Sequence, residues 1–146
     1  MKFQQFLTAF IIVVTAQALS MEKVPTLDKE TARQLRCLEL NIYHEARGES
    51  KAGKIAVAMV TLNRMRHKRF PDTVCDVVKQ PGQFSWYGNK STYVKIPVEI
   101  RQIAYDVLIE KRYKDNTGGA LYFHNRSVRS FDRKMKTQIG NHIFYI

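Results

Sequence analysis

Apolar side chains recur at spacings of three and four residues in four segments of the chain, and this pattern predicts four helices. The first continues to about Ala46 and the second to about Arg66. The second helix is apolar on all sides from Ile55 to Val60, which is typical of a helix in the centre of a domain. The expected starts of the four helices are Asp28 or Thr26, Ser50, Asp72 and Pro97.

Two short segments near the C-terminus have the composition of β-strands. They are Ala120 to His124 and His142 to Ile146, and Gly140-Asn141 provides a turn before the second. The sequence therefore predicts a mostly helical α+β domain with a small antiparallel sheet near the C-terminus. A length of 146 residues fits one compact domain.

The first residues have the pattern of an export signal. Lys2 precedes an apolar run from Phe6 to Ala16, and Ala16-Gln17-Ala18 matches the small-x-small pattern that signal peptidase cleaves. The run is shorter than the roughly 20 residues of a membrane span. We expect an exported protein, either periplasmic or secreted. Residues 1–18 would be a signal peptide or an uncleaved signal anchor. The protein would contact the membrane only transiently, through these residues. Residues 19–36 would form a linker and the start of the first helix; a buried N-terminal helix is the alternative.

The formal net charge of +11 favours binding to a polyanion, such as nucleic acid, anionic lipid or an anionic cell wall. Export favours the wall over nucleic acid, and we expect no nucleic-acid partner. The rival interpretation is a non-catalytic basic protein that binds the wall or nucleic acid. Its basic surface would be built from Arg64, Arg66, Lys68, Arg69 and the segment from Arg126 to Lys136.

Cys37 and Cys75 are the only cysteines of the chain. An oxidising compartment would permit one disulfide between them, which agrees with export. Two separate buried thiols are the alternative, because spacing alone does not establish a bridge.

Glu45 lies at the end of the first predicted helix, on its apolar stripe. It follows Leu38 by seven residues and Ile42 by three, so its carboxyl group points to the same side as these apolar side chains. Burial of this kind disfavours the carboxylate form, and glycosidases use such an acid to protonate the leaving oxygen. The pattern makes Glu45 a candidate general acid. A structural ion pair with Arg47 or a nearby Lys is the more common role of a charge on an apolar stripe, and the pattern alone leaves both open.

Five segments carry a further signal: Cys37 to Glu49, Val57 to Arg64, Gln80 to Trp86, Gly119 to Phe123 and Ile139 to Phe144. Together and in this order they resemble the cell wall hydrolase family typified by the spore cortex-lytic enzyme SleB. The resemblance extends from Cys37 to the C-terminus, so residues 37–146 are expected to form the catalytic domain.

The resemblance implies a lysozyme-like fold and cleavage of peptidoglycan between N-acetylmuramic acid and N-acetylglucosamine. Glu45 matches the family's catalytic glutamate. In that chemistry one carboxyl group protonates the glycosidic oxygen. As the carboxylate it then removes a proton from the muramic acid C6 hydroxyl, which closes a 1,6-anhydro ring.

We expect a departure from the spore enzymes in that a separate wall-binding domain is lacking. We therefore expect a phage endolysin or a periplasmic wall-remodelling enzyme rather than a role in germination. The positive charge would then hold the enzyme on an anionic wall.

A lysozyme-type hydrolase needs a second carboxyl group as base or nucleophile. Glu49 would share a helix face with Glu45 if the helix continued through Gly48, and Asp132 is another candidate. A transglycosylase needs neither group. The sequence favours a transglycosylase, with Glu49 at most auxiliary, and leaves a hydrolytic muramidase as the alternative.

The loop from Gln83 to Asn89 is the expected sugar-binding segment, since its aromatic side chains offer flat faces and its polar side chains offer hydrogen bonds. Trp86 is expected to contact sugar and Phe84 to plug the core, because Trp keeps an N–H that favours half-exposed sites. The alternative is that all the aromatics fill the core. The predicted substrate-binding residues are Gln83, Phe84, Ser85, Trp86, Tyr87 and Asn89, with Tyr122, Asn125 and Asn141 on the opposite wall.

Zinc and cysteine peptidase chemistry is not expected. His44-Glu45 is not followed by a histidine at the H-E-x-x-H spacing, and the cysteines form no C-x-x-C pair. A disulfide would also leave no nucleophilic thiol. We therefore expect an enzyme without a metal or cofactor that acts on peptidoglycan glycan strands as a monomer.

Overall fold

A computed structural model describes residues 26–88, 93–128 and 134–146 of the chain. Four helices and a small antiparallel sheet near the C-terminus confirm the predicted α+β class. The predicted signal segment, Asn89 and Asp132 lie outside the described residues. The helices are α1 (Lys29–Ala46), α2 (Lys51–Met65), α3 (Val74–Lys79) and α4 (Val98–Leu108).

Side-chain caps fix where the helices begin. Asp28 accepts hydrogen bonds from the backbone N–H groups of Glu30 and Thr31, both at 2.9 Å, and so starts α1. Ser50 caps α2, as its position in the sequence predicts. The third helix begins later than the sequence predicts, because its cap is Thr73, whose hydroxyl accepts from the Asp76 N–H.

The core lies around α2, which packs against α1, α3 and α4. Between Gly53 and Leu62 every residue of α2 is buried, as expected of a central helix. Phe84 and Trp86 of the loop after α3 join this core. The loop is therefore part of the packed domain.

The sheet contains β1 (Tyr122–Asn125), β2 (Met135–Ile139) and β3 (His142–Tyr145), in the order β1-β3-β2. β1 and β3 correspond to the two predicted strands. The sequence prediction missed β2, which lies in a basic segment and has no buried side chain. It is an edge strand, and exposed charge such as that of Lys136 is usual there.

A disulfide joins Cys37 of α1 to Cys75 of α3, with their Cα atoms 5.2 Å apart. The predicted pairing is therefore confirmed, and the alternative of two separate thiols is wrong. The Cys75 N–H also donates to Gln34 Oε1 at 2.8 Å, so α3 is tied to α1 twice. None of the helices within the three described ranges is long and apolar enough to cross a membrane.

Candidate active site

Glu45 occupies the last turn of α1. Leu38 and Ile42 on the same stripe are completely buried, whereas Glu45 itself is half-buried at the edge of the core. The helix ends at Ala46, and the chain then turns into α2. This placement leaves the carboxyl group between the apolar interior and solvent, as a general acid that must reach a substrate requires.

Arg64 of α2 is buried, which is unusual for an arginine. The residue is only 4% exposed. Its Nε–H donates to the Leu121 carbonyl at 2.6 Å. Its guanidinium carbon lies 5.4, 5.2 and 5.5 Å from the ring centroids of Phe70, Phe84 and Tyr122. The sequence-based assignment of Arg64 to a basic surface for nucleic acid is therefore wrong: the side chain belongs to the interior.

The interior position of Arg64 changes the pKa of its guanidinium group. Burial lowers the pKa of Arg64 to about 10, while the charges of Tyr122 and Glu45 act to raise it. The guanidinium group thus lies against Tyr122 of β1, one of the predicted site residues. Its position was predictable from spacing, since it follows the buried Val57 and Val60 by seven and four residues on one helix face.

Trp86 is 1% exposed, and its predicted role as an exposed sugar platform is wrong. Its Nε1–H donates to Asn41 Oδ1 at 3.3 Å, and Asn41 Nδ2 in turn donates to Thr61 Oγ1 at 3.0 Å. Its ring stacks on His44, with centroids 4.5 Å apart and an interplanar angle of 19°. Trp86 therefore fixes the residue that precedes Glu45 and does not present a face to solvent.

The rest of the loop divides between core and surface. Phe84 is 5% exposed and plugs the core, as expected, so its inclusion among the predicted substrate-binding residues is wrong. Tyr87 is 41% exposed and its ring meets Trp86 edge-on at 5.9 Å. Gln83 and Ser85 are exposed. Tyr87 is the aromatic side chain of the loop that remains available to a pyranose ring.

Glu49 lies beyond the end of α1, so it does not share a helix face with Glu45. Its carboxylate accepts the Asn141 N–H at 3.1 Å and the Asn141 side-chain amide at 3.0 Å. Burial acts to raise the pKa of Glu49, but these hydrogen bonds and the nearby His142 and Arg126 charges outweigh it and lower the pKa. Glu49 therefore holds the turn between β2 and β3 in place through these two hydrogen bonds, which we call the clasp.

The clasp leaves no space at Gly140, whose φ is +58° and where an added Cβ would overlap Glu49 Oε2. Gly118 has a similar φ of +66° but faces open space. We expect Gly118→Ala to cost about 1 kcal/mol of stability from backbone strain alone. Gly140→Ala should cost about 2 kcal/mol more, because the Asn141 hydrogen bonds to Glu49 are also lost.

Urea unfolding of the two glycine variants measures this difference. In proteins that also carry Glu49→Ala, Gly118→Ala and Gly140→Ala should lower the free energy of unfolding by the same amount. Equal destabilisation by Gly140→Ala and Gly118→Ala in the wild-type background would contradict the clasp.

The remaining predicted residues lie on the surface near the sheet. Asn141 is exposed and engaged with Glu49, whereas the Asn125 side chain accepts from the Ser127 N–H at 3.0 Å and its hydroxyl at 2.9 Å. Tyr122 is half-buried.

Among the described residues, no group of three or more His, Cys, Asp or Glu side chains is arranged to hold a metal ion.

Comparison with known proteins places this architecture among enzymes of the bacterial wall. A family model described as Cell Wall Hydrolase matches residues 48–145, a range that starts just after Glu45. The chain is 35% identical over 107 residues to the spore cortex-lytic enzyme of Halalkalibacterium halodurans, covering 70% of this chain and 32% of that protein. The chain thus spans about a third of the length of this curated relative.

Two solved structures share the fold. The catalytic domain of the Bacillus cereus SleB protein matches with a TM-score of 0.70 and 29% identity, covering 84% of this chain and 95% of that one. The catalytic domain of the germination-specific lytic transglycosylase SleB from Bacillus anthracis matches with the same TM-score and identity, and the match covers 84% of this chain and 100% of that one.

Proposed function

The chain belongs to the cell wall hydrolase family of SleB type, and from this premise we propose that it cleaves peptidoglycan glycan strands between N-acetylmuramic acid and N-acetylglucosamine. Glu45 is the proposed general acid and base. The observation that carries the proposal is its position, half-buried in the last turn of α1 on the stripe of the buried Leu38 and Ile42. The solved relative named a lytic transglycosylase supports the same chemistry.

In the proposed reaction the Glu45 carboxyl group gives its proton to the glycosidic oxygen as the bond from that oxygen to the muramic acid C1 breaks. The resulting carboxylate takes the proton of the C6 hydroxyl as its oxygen bonds to C1. The 1,6-anhydro product leaves, and Glu45 regains its proton without consuming water. One carboxyl group therefore completes the cycle.

The state of Glu49 favours this single-carboxyl mechanism over a hydrolytic one. Both of its carboxylate oxygens accept hydrogen bonds from Asn141, so the group has a structural partner. A hydrolytic muramidase would require a second free carboxyl group, for which Glu49 and Asp132 are the candidates in the sequence. In the proposed function neither takes part in bond cleavage.

We further propose that the enzyme acts outside the cytoplasm, as an endolysin or a wall-remodelling enzyme. The Cys37–Cys75 disulfide supports this location, because such bridges persist in oxidising compartments. The net charge of +11 would hold the protein on an anionic wall. The proposed substrate is therefore reached by export through the N-terminal segment.

Mass spectrometry of soluble products tests the proposal. Purified vegetative sacculi and spore cortex are each digested in water enriched in ¹⁸O. A transglycosylase is expected to release anhydro-muropeptides without ¹⁸O, whereas a muramidase would release reducing muropeptides that carry one ¹⁸O atom at C1. Absence of any glycan cleavage from both substrates would reject the proposed function and favour a wall-binding role.

A further inference from the structure

Trp86 lies along the last turn of α1, the turn that carries Glu45. Its indole ring stacks on His44, and its Nε1–H donates to Asn41 Oδ1 at 3.3 Å. Residues three and four positions apart are neighbours on a helix surface, so Asn41, His44 and Glu45 share one side of this turn. The single tryptophan of the chain therefore packs across the face of α1 beside the proposed acid.

Asn41 is completely buried and holds the indole from within the core. Its Nδ2 donates to Thr61 Oγ1 at 3.0 Å, and the Thr61 hydroxyl in turn donates to the Val57 carbonyl at 3.3 Å. These bonds fix which end of the Asn41 amide accepts, because an indole N–H can only donate and the Thr61 proton is already used. The buried chain of hydrogen bonds thus ties the loop after α3 to both α1 and α2.

The end of α1 needs support of this kind. The last carbonyl groups of a helix have no partner within it, so a terminal turn opens more easily than the centre of the helix. α1 ends at Ala46, one residue after Glu45. The packed indole covers a turn that would otherwise open, and its hydrogen bond to Asn41 sets where the indole lies.

We infer that Asn41 is a positioning residue for Glu45. It fixes Trp86 against His44 and so holds the last turn of α1 in helical geometry. The inference rests on the proposed role of Glu45 as the acid and base. A misplacement of about 1 Å in a reacting group can lower a rate about a hundredfold, so a turn that opens part of the time would slow bond cleavage.

Backbone hydrogen exchange, followed by NMR in the full chain, tests the inference. Asn41→Leu keeps the size of the side chain and removes its hydrogen bonds, so the Glu45 N–H should exchange about tenfold faster than in wild type. The indole N–H of the single tryptophan should accelerate with it.

Ile103→Val in α4 is the matched control, since Ile103 is buried in the same core and the substitution lowers overall stability. It should accelerate exchange of the Leu38 N–H in the middle of α1, which depends on wider opening of the fold. The Glu45 N–H should stay within about twofold of its wild-type rate, because the last turn opens locally.

Kinetics on soluble glycan strands, at a temperature where the variants remain folded, separate positioning from binding. Asn41→Leu should lower kcat about tenfold and leave KM within about twofold of wild type, because the substrate contacts persist while the acid is misplaced part of the time. Ile103→Val should keep both constants. A rise in KM with an unchanged kcat would assign Asn41 to substrate binding and contradict the inference.

A second variant covers the case in which Asn41→Leu does not fold. Thr61→Val keeps the shape of the side chain and removes the hydroxyl that accepts from Asn41 Nδ2. The Glu45 N–H should then exchange about threefold faster and kcat should fall about threefold, with KM unchanged. Thr61 belongs to α2, so such an effect on Glu45 would follow the hydrogen bonds between the two helices.

Wild-type exchange of the Glu45 N–H in Asn41→Leu or in Thr61→Val would overturn the inference. Equal acceleration of this N–H in Ile103→Val, or an unchanged kcat in Asn41→Leu, would do the same. The exchange measurements need no enzymatic activity. A wild-type protein whose last turn of α1 depends on Asn41 but which cleaves no glycan would instead reject the proposed function.

Discussion

Glu45→Gln is expected to reduce the release of muropeptides from sacculi by about a thousandfold while the protein remains folded. The amide keeps the shape of the side chain but has no proton to give to the glycosidic oxygen. It also cannot accept the proton of the C6 hydroxyl afterwards. Product release is measured by mass spectrometry, and far-UV circular dichroism confirms that the helices persist.

Glu49→Gln is the matched control for this prediction, since it makes the same chemical change at the neighbouring carboxylate. The amide oxygen that this substitution leaves could still accept one hydrogen bond from Asn141, so activity should stay within about threefold of wild type. Normal activity of Glu45→Gln would contradict the central assignment. A loss in Glu49→Gln as large as that in Glu45→Gln would favour the hydrolytic mechanism with two carboxyl groups.

The position of Glu45 was predictable from the sequence because the deciding interactions are local. Asp28 caps α1 through residues two and three positions away, and the helical period then places Glu45 on the stripe of Leu38 and Ile42. Ser50 likewise fixes the start of α2 through the nearby Gly53 N–H. Local signals thus place Glu45, the proposed acid, at a helix end that the fold leaves half-buried.

The surroundings of Glu45 were less predictable, because they are assembled by distant contacts. The buried Trp86 donates a hydrogen bond to Asn41, which lies 45 residues earlier. Glu49 accepts a hydrogen bond from Asn141, which lies 92 residues later. Neither partner is indicated by composition or spacing. The sequence therefore predicted sugar contact for Trp86 and an auxiliary catalytic role for Glu49, whereas in the structure Trp86 packs on His44 and Glu49 binds Asn141.

Reduction of the Cys37–Cys75 disulfide is expected to lower the free energy of unfolding by about 4 kcal/mol, from the loop-closure entropy of a 38-residue separation. Urea unfolding of oxidised and reduced wild type measures this with identical side chains in both samples. A Cys37→Ala/Cys75→Ala double variant serves as the control, and reductant should not change its stability. An unchanged wild-type midpoint on reduction would contradict the prediction.

Loss of the disulfide should also affect the candidate active site. α3 has only six residues, too few to be stable without its tertiary contacts. It leads into the loop that places Trp86 on His44, next to Glu45 in α1. We therefore expect the reduced enzyme to lose activity at a lower urea concentration than the oxidised enzyme, and to lose the Trp86 fluorescence signal of the buried ring in the same transition. The two losses are expected to coincide, whereas activity retained after the fluorescence change would show that the disulfide does not support the candidate site.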